Sequence, residues 1–512
     1  MRIVVIGSGF GGLAAAIRLQ ATGHDVTIVE KLDKPGGRAY VFEQDGYTFD
    51  AGPTIITAPW MIDELFAIAG KRTADYVRIV PVDPYYRLRW EDGSVFDYNG
   101  DREKLVAQVR AFSPADADQY EKFYARTEDI FNTGMPLVDA PFNKLGDFLK
   151  VVPDLVRLRS DQSVAQMVNA RFRDERLRQL FSFHPLLIGG NPYAASSLYA
   201  LVHALEQKWG VHFAMGGTGA LVRGLVQCFR DIGGTVRLQS EVAEILVDDA
   251  TREARGVRLV SGETVAADAV VCNGEVAHAY MKLVPARHRK VNTDRKFAKY
   301  DYAMSLFVIY FGTNRRYEDV AHHEILMGPR YRELLRDIFD RKVLADDFSL
   351  YLHRPTATDP SLAPAGHDCW YVLSPVPHLG GPTDWARVTE QYRDKILAYL
   401  EARYLPDLSK HLTVVRHVDP RYFRDTLNSH LGSAFSVEPT LFQSAWMRPH
   451  NKSQDIGNLY FCGAGTHPGA GLPGVMGSGK IVAELIGRAP IPFSSRERAR
   501  GEEFEGAARL SA

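Results

Sequence analysis

The opening stretch RIVVIGSGFGGLAAAIRLQATGHDVTIVE, residues 2–30, leaves very few folds open. Ile3, Val4, Val5 and Ile6 form an unbroken apolar run, which suits a parallel strand covered on both faces. Gly7, Gly9 and Gly12 follow at G-x-G-x-x-G spacing, and Leu13, Ala16, Ile17 and Gln20 recur at helical spacing until Gly23. Residues 25–29 read as a second strand, and Glu30 ends it. Gly7 allows the sharp turn, Gly9 lets the main chain approach a pyrophosphate, and Gly12 lets helix pack on strand. Phe10 and Gly11 open a helix whose free N–H groups and positive dipole end face that diphosphate. Glu30, with Lys31 beside it, stands where a carboxylate accepts hydrogen bonds from ribose hydroxyls. Its charge would repel a 2′-phosphate, so the pattern predicts FAD or NAD, not NADP.

The same economy of side chains returns near the other end. Residues 463–479, GAGTHPGAGLPGVMGSG, hold seven glycines and two prolines directly after the strand-like NLYFC. Glycine costs entropy on ordering, so such a cluster signals a strained turn or a close approach between main chain and something else. Pro473 and Gly474 suit a helix start, and Val482, Leu485 and Ile486 share one helical face beyond it. Strand, glycine turn and helix thus occur at both extremities.

Length bounds the rest. A chain of 512 residues with 46% hydrophobic and 24% charged residues supports two to four packed units. The net charge of −1 gives no reason to expect nucleic acid. Cys228, Cys272, Cys369 and Cys462 lack paired spacing, which predicts neither disulfides nor a zinc cluster and fits a reducing cytoplasm. Ala321-His322-His323 presents neighbouring imidazoles without helical ligand spacing, so no metal is expected. No targeting segment is read before residue 2, no window reaches eighteen uninterrupted apolar residues, and no fixed-period repeat is visible. Residues 491–512 read as a loose charged tail.

Gly36-Gly37-Arg38 resembles the motif that the FAD-dependent amine oxidase and desaturase superfamily carries at this distance from its first turn. There the glycines admit the diphosphate side of the cofactor and the arginine lies against it. FDAGPTII, residues 49–56, resembles the segment that meets the flavin end, which implicates Gly52, Pro53 and Thr54. The same resemblance assigns Val242 to an adenine contact through its main chain, and Gly463, Gly465 and Thr466 to the diphosphate and ribityl side. Gly474, Val475 and Met476 then present a helix N-terminus to the isoalloxazine.

Over nearly its full length the chain resembles the bacterial-type phytoene desaturase family, through residues 33–57, 181–221, 328–339, 347–380, 432–439 and 463–480. The resemblance implies an α/β fold: a Rossmann-like FAD domain from 1–105, 215–290 and 415–490, with 106–214 and 291–414 forming a discontinuous substrate domain and a helical membrane-facing part. It implies stepwise desaturation of 15-cis-phytoene to neurosporene or lycopene, by hydride transfer to flavin, with oxygen or a quinone as final acceptor. Related readings are another FAD-dependent carotenoid oxidoreductase or isomerase, or a non-catalytic prenyl carrier of the GDI type. A hydrocarbon substrate needs a long apolar site recognised by shape. Phe181, Phe183, Leu186, Leu187, Ile188, Tyr193 and Tyr199 supply material for one, and Phe307, Tyr310 and Phe311 add more. No catalytic residue is legible; Asp147, Lys150 and His184 are the candidates for taking a proton. Residues 146–160 mix apolar and basic side chains as a peripheral membrane surface does, which points to the inner face of the cell membrane. Self-association is left open.

Overall fold

The computed structural model describes residues 1–142 and 144–489; the charged tail expected at 491–512 lies outside them. Arg2–Ile6 is the middle strand of a five-stranded parallel sheet, flanked by Ala269–Cys272 and Asp25–Val29, with Leu459–Phe461 and Thr235–Arg237 at the edges. The unbroken apolar run has the physical cause expected of it. Ile3 and Val5 enter a core with helices Phe10–Ala21, Gly217–Asp231 and Leu472–Ile486. Val4 and Ile6 enter the core on the opposite face, against a three-stranded antiparallel sheet of Val242–Val247, Ala254–Leu259 and Thr264–Ala266. Ile3 to Ile6 are all buried because alternate side chains serve different cores.

A second sheet has seven strands, running Leu412–Val418, Ser305–Thr313, Asp368–Val376, Leu350–His353, His323–Met327, Tyr86–Trp90 and Val95–Tyr98. Residues 86–98, which the sequence placed within the first FAD segment, therefore pair in this sheet instead. One face packs on helix Trp385–Arg403 through Phe307, Ile309, Phe311 and Trp370. A helical lobe built on Arg102–Phe112, Ala117–Gly134, Glu175–Ser182 and Leu201–Trp209 covers the strands nearest Tyr98. All four cysteines are buried and unbonded. No described helix is long and apolar enough to cross a membrane.

Candidate active site

The carboxyl ends of the parallel strands open on one cavity of about 540 Å³, lined by Gly7, Glu30, Asn273 and Gly463 where four of them end. Ligands of open parallel sheets sit at this edge because the turns there expose main-chain groups. Gly9, Phe10 and Gly11 line the cavity from the first helix, and Gly474 and Val475 from the last. Neither helix start carries a side-chain cap, so first-turn N–H groups and two positive dipole ends are left to a ligand. A methyl carbon at Gly11 would stand 3.0 Å from Gly463 N and 3.1 Å from Val475 O. The two extremities of the chain thus meet through their main chains.

Polar groups around that floor are set for an anionic, hydroxyl-bearing ligand. Glu30 is buried, and its Oε2 accepts from Ser8 N at 2.8 Å and Ser8 Oγ at 2.7 Å, while Oε1 accepts from Leu32 N at 3.0 Å. Lys31, also on the cavity, donates to Asn428 Oδ1 at 2.9 Å. Gly36, Gly37 and Arg38 also line the cavity, and Gly36 N donates to Ser8 Oγ at 3.3 Å. Arg38 donates to Ser429 Oγ at 2.9 Å, yet its buried Nε has no partner. Burial lowers the Arg38 pKa, with the Glu275 carboxylate opposing. A guanidinium with an enclosed, unpartnered N–H is completed by a phosphate. Uncapped helix starts, a glycine floor and this orphaned donor fit the diphosphate of a flavin dinucleotide.

Gly52, Pro53, Thr54 and Val242 line the same cavity. The turn is anchored by Asp50, whose carboxylate accepts from Thr218 N at 2.8 Å and Gly219 N at 3.1 Å at the start of a helix. Burial pushes the Asp50 pKa up to about 6 despite those two donors. Beyond Thr54 the walls become apolar, with Phe183, Leu186, Leu187, Ile188 and Tyr199 on one side and Leu306, Val308 and Leu373 on the other.

Residues 10–487 match the family described as flavin containing amine oxidoreductase. A lycopene-forming phytoene desaturase from Pseudescherichia vulneris is 52% identical over 489 residues, 95% of this chain and 99% of its own. A neurosporene-forming one from Cereibacter sphaeroides is 45% identical over 517 residues, covering 100% and 98%. The chain belongs to the bacterial phytoene desaturase family. Among solved structures, cyclohexylamine oxidase from Brevibacterium oxydans superposes with a TM-score of 0.61 at 17% identity, over 95% of this chain and 98% of that one, which places the desaturase on the amine-oxidase fold.

Four expected cofactor residues do not line the cavity of this family member. Gly12 lies beneath the first turn, where a methyl carbon would stand 2.2 Å from Gly7 O, so it serves helix–strand packing. Gly465 faces Val276 and Ser436, Thr466 is buried with its hydroxyl on Gly463 O at 3.2 Å, and Met476 sits in the core. Of the proton-acceptor candidates, Asp147 and Lys150 pair with each other at 3.8 Å on an outer helix, and only His184 reaches the cavity. Phe181 and Tyr193 are withdrawn into or onto the helical lobe's core. Phe307 and Phe311 point away because strand alternation gives the cavity Leu306 and Val308, and Tyr310, which does not line it, donates to Ala51 O at 3.0 Å.

Several residues had no usable signal in the sequence. Asn273, at the end of a parallel strand, would stand 2.9 Å (Nδ2) from a methyl carbon at Gly9 and 2.6 Å (Oδ1) from one at Gly11. Arg448 is fully buried, and its guanidinium donates to Thr466 O, Gln443 O, Val437 O and Ala464 O at 2.8–3.1 Å, stitching the side-chain-poor loop in place. His322 and His323 meet His353 across paired strands, with candidate donor nitrogens all within 4.8 Å, a cluster invisible to local spacing. His323 Nδ1 meets Tyr351 OH at 2.6 Å and His353 Nδ1 at 3.2 Å, and His322 Nδ1 meets Thr358 Oγ1 at 2.5 Å, while the buried Nε2 of all three imidazoles has no partner among the described residues. Burial and neighbouring imidazoles keep all three well below the usual histidine pKa.

Proposed function

We propose that this chain desaturates phytoene, holding FAD on the glycine floor and the C40 polyene in the apolar arm, and yields neurosporene or lycopene. The carrying observation is the continuity of one cavity from two uncapped helix starts to walls of Phe183, Leu186, Leu306 and Val308. Gly7, Gly9, Phe10, Gly11, Gly463, Gly474 and Val475 would meet the cofactor through main chain, Glu30 the ribose, Arg38 the diphosphate and Val242 the adenine end. The bound flavin supplies a two-electron acceptor, later reoxidised by oxygen or a quinone. The protein excludes water, and it aligns a substrate without hydrogen-bonding groups by shape alone. Expression in a phytoene-accumulating bacterium is expected to colour the cells, and chromatography to show neurosporene or lycopene. Colourless cells containing soluble, flavin-loaded protein would refute the assignment.

A polyene dissolved in a bilayer also requires a docking surface, here at the inner face of the membrane. Helix Leu145–Arg157 buries none of its residues, with Leu149 58% and Val156 67% exposed. Phe442, the most exposed large apolar side chain described at 77%, lies two residues from Ser444, whose Oγ meets the hydroxyl of the cavity residue Tyr199 at 3.2 Å. Burying an apolar side chain contributes about 1.5–3 kcal/mol. Changing Leu149→Ser and Phe442→Ser together should lower partitioning onto anionic liposomes by roughly tenfold or more. Both side chains are exposed, so the melting temperature should hold. Unchanged sedimentation with the vesicles would remove this surface from the proposal.

A further inference from the structure

The apolar arm contains one ionisable group that neither its substrate nor its fold explains. Glu206 is fully buried, and it lines the cavity. Tyr86 OH donates to its Oε1 at 2.7 Å, and His184 Nε2 lies 3.1 Å from its Oε2. Among the described residues no lysine or arginine nitrogen lies within 4.0 Å of it; His184 is its sole ion-pair partner. A carboxylate taken out of water without a cation is unfavourable, and a leucine would fill a hydrocarbon site better.

Its partners are themselves braced. His184 stacks on Phe183 with ring centres 4.3 Å apart. Behind it, His203 is held on both ring nitrogens, by Tyr98 OH at 2.8 Å and Tyr120 OH at 3.3 Å, and burial keeps it neutral. On the other side the Tyr86 ring lies 6.0 Å from His323, whose Nδ1 meets Tyr351 OH at 2.6 Å. That hydroxyl in turn meets Thr54 Oγ1 at 3.3 Å, in the turn proposed for the flavin end. Glu206 is therefore fixed, unneutralised by any strong cation, and connected side chain by side chain to the turn at Thr54.

We propose that Glu206 is the catalytic base of each desaturation, with Tyr86 and His184 as its positioning residues. This rests on reading the arm as the polyene site. Two neighbouring C–H bonds break in each round. One hydrogen leaves with its electron pair as hydride, accepted by the oxidised flavin. The other leaves as a proton to a Glu206 carboxylate oxygen, and its C–H pair closes the new carbon–carbon π bond. The carboxylate becomes a carboxylic acid, and charge balances without a metal or a second oxidant. His184 and Tyr86 keep the accepting oxygens aimed while the acid is charged and then neutral. Buried negative charge also favours any positive charge that develops on the polyene as the hydride departs.

The test uses flavin-loaded protein and phytoene delivered in liposomes. Anaerobic mixing of the wild type with phytoene should raise an infrared carboxylic-acid C=O band as flavin absorbance bleaches, and this band should shift in D2O. Glu206→Gln, which keeps the size and one accepting oxygen but cannot take the proton, should load flavin and take up polyene as the wild type does. It should show no such band and bleach roughly 10²–10⁴-fold more slowly, the range of general base catalysis. Glu206→Asp should recover part of the rate and restore the band. Bleaching of Glu206→Gln within threefold of the wild type, or wild-type bleaching without the band, overturns the proposal. The second result needs no variant to fold. Failure of the wild type to take up polyene while still binding flavin would instead overturn the reading of the arm.

Discussion

Gly9→Val should yield a folded protein that emerges from purification without flavin absorbance and leaves phytoene-accumulating cells colourless. A methyl carbon at residue 9 meets Asn273 Nδ2 at 2.9 Å, and its next neighbour, Gly36 O, is 3.8 Å away. The amide end of Asn273 belongs to a side chain that can give, and the added branches occupy cavity space in place of a diphosphate. An affinity loss of roughly a hundredfold or more is expected, about 3 kcal/mol or more. Without added FAD, the melting temperature should stay within a few degrees of the wild type. Gly11 behaves differently, because main chain blocks a methyl carbon there on two sides, at Gly463 N and Val475 O. The contrast between the two glycines makes the Gly9 result a statement about the ligand and not about folding. Retained flavin in Gly9→Val would contradict the placement of the diphosphate on this turn.

Arg38→Met should move stability in opposite directions with and without cofactor. In ligand-free protein Arg38 is half-buried, its buried Nε has no partner among the described residues, and its guanidinium is held by Ser429 Oγ with Glu275 nearby. Replacing a poorly compensated, half-buried charge with an apolar side chain of similar length is commonly neutral or stabilising, so the apo melting temperature should hold or rise. With FAD the same change removes a charge-assisted hydrogen bond of about 1.5–3 kcal/mol, a tenfold to hundredfold weaker Kd. Thermal melts across an FAD titration separate the two effects, since a ligand stabilises only the state it binds. Equal destabilisation with and without FAD would mean that Arg38 is simply part of the frame.

Legibility in the sequence followed the range over which the cause acts. The strand–turn–helix at residues 2–21 and the glycine loop before helix Leu472–Ile486 are dictated by local chemistry, and they were readable because glycine, apolar runs and helix starts act within a few residues. Arg38 was readable through family resemblance, but the orphaned Nε that makes it interesting was not. Glu206 sits in HALEQKW, where no local spacing marks it, and the fold buries it completely. Asp147 and Lys150, read as candidates for taking a proton, pair with each other on an exposed helix.

The amino-acid order by itself determined the two nucleotide-type turns, the α/β class and the family, since each is written in short-range spacing and in motifs that need no partner to be seen. Family resemblance already set both glycine turns on one cofactor; tertiary structure alone decided that Leu306 and Val308 face its cavity while Phe307 and Phe311 face a helix, and that a carboxylate lies in the apolar wall. The reason is that register, facing and burial are set by contacts between segments hundreds of residues apart. In an alternating strand, a shift of one position exchanges the inside for the outside.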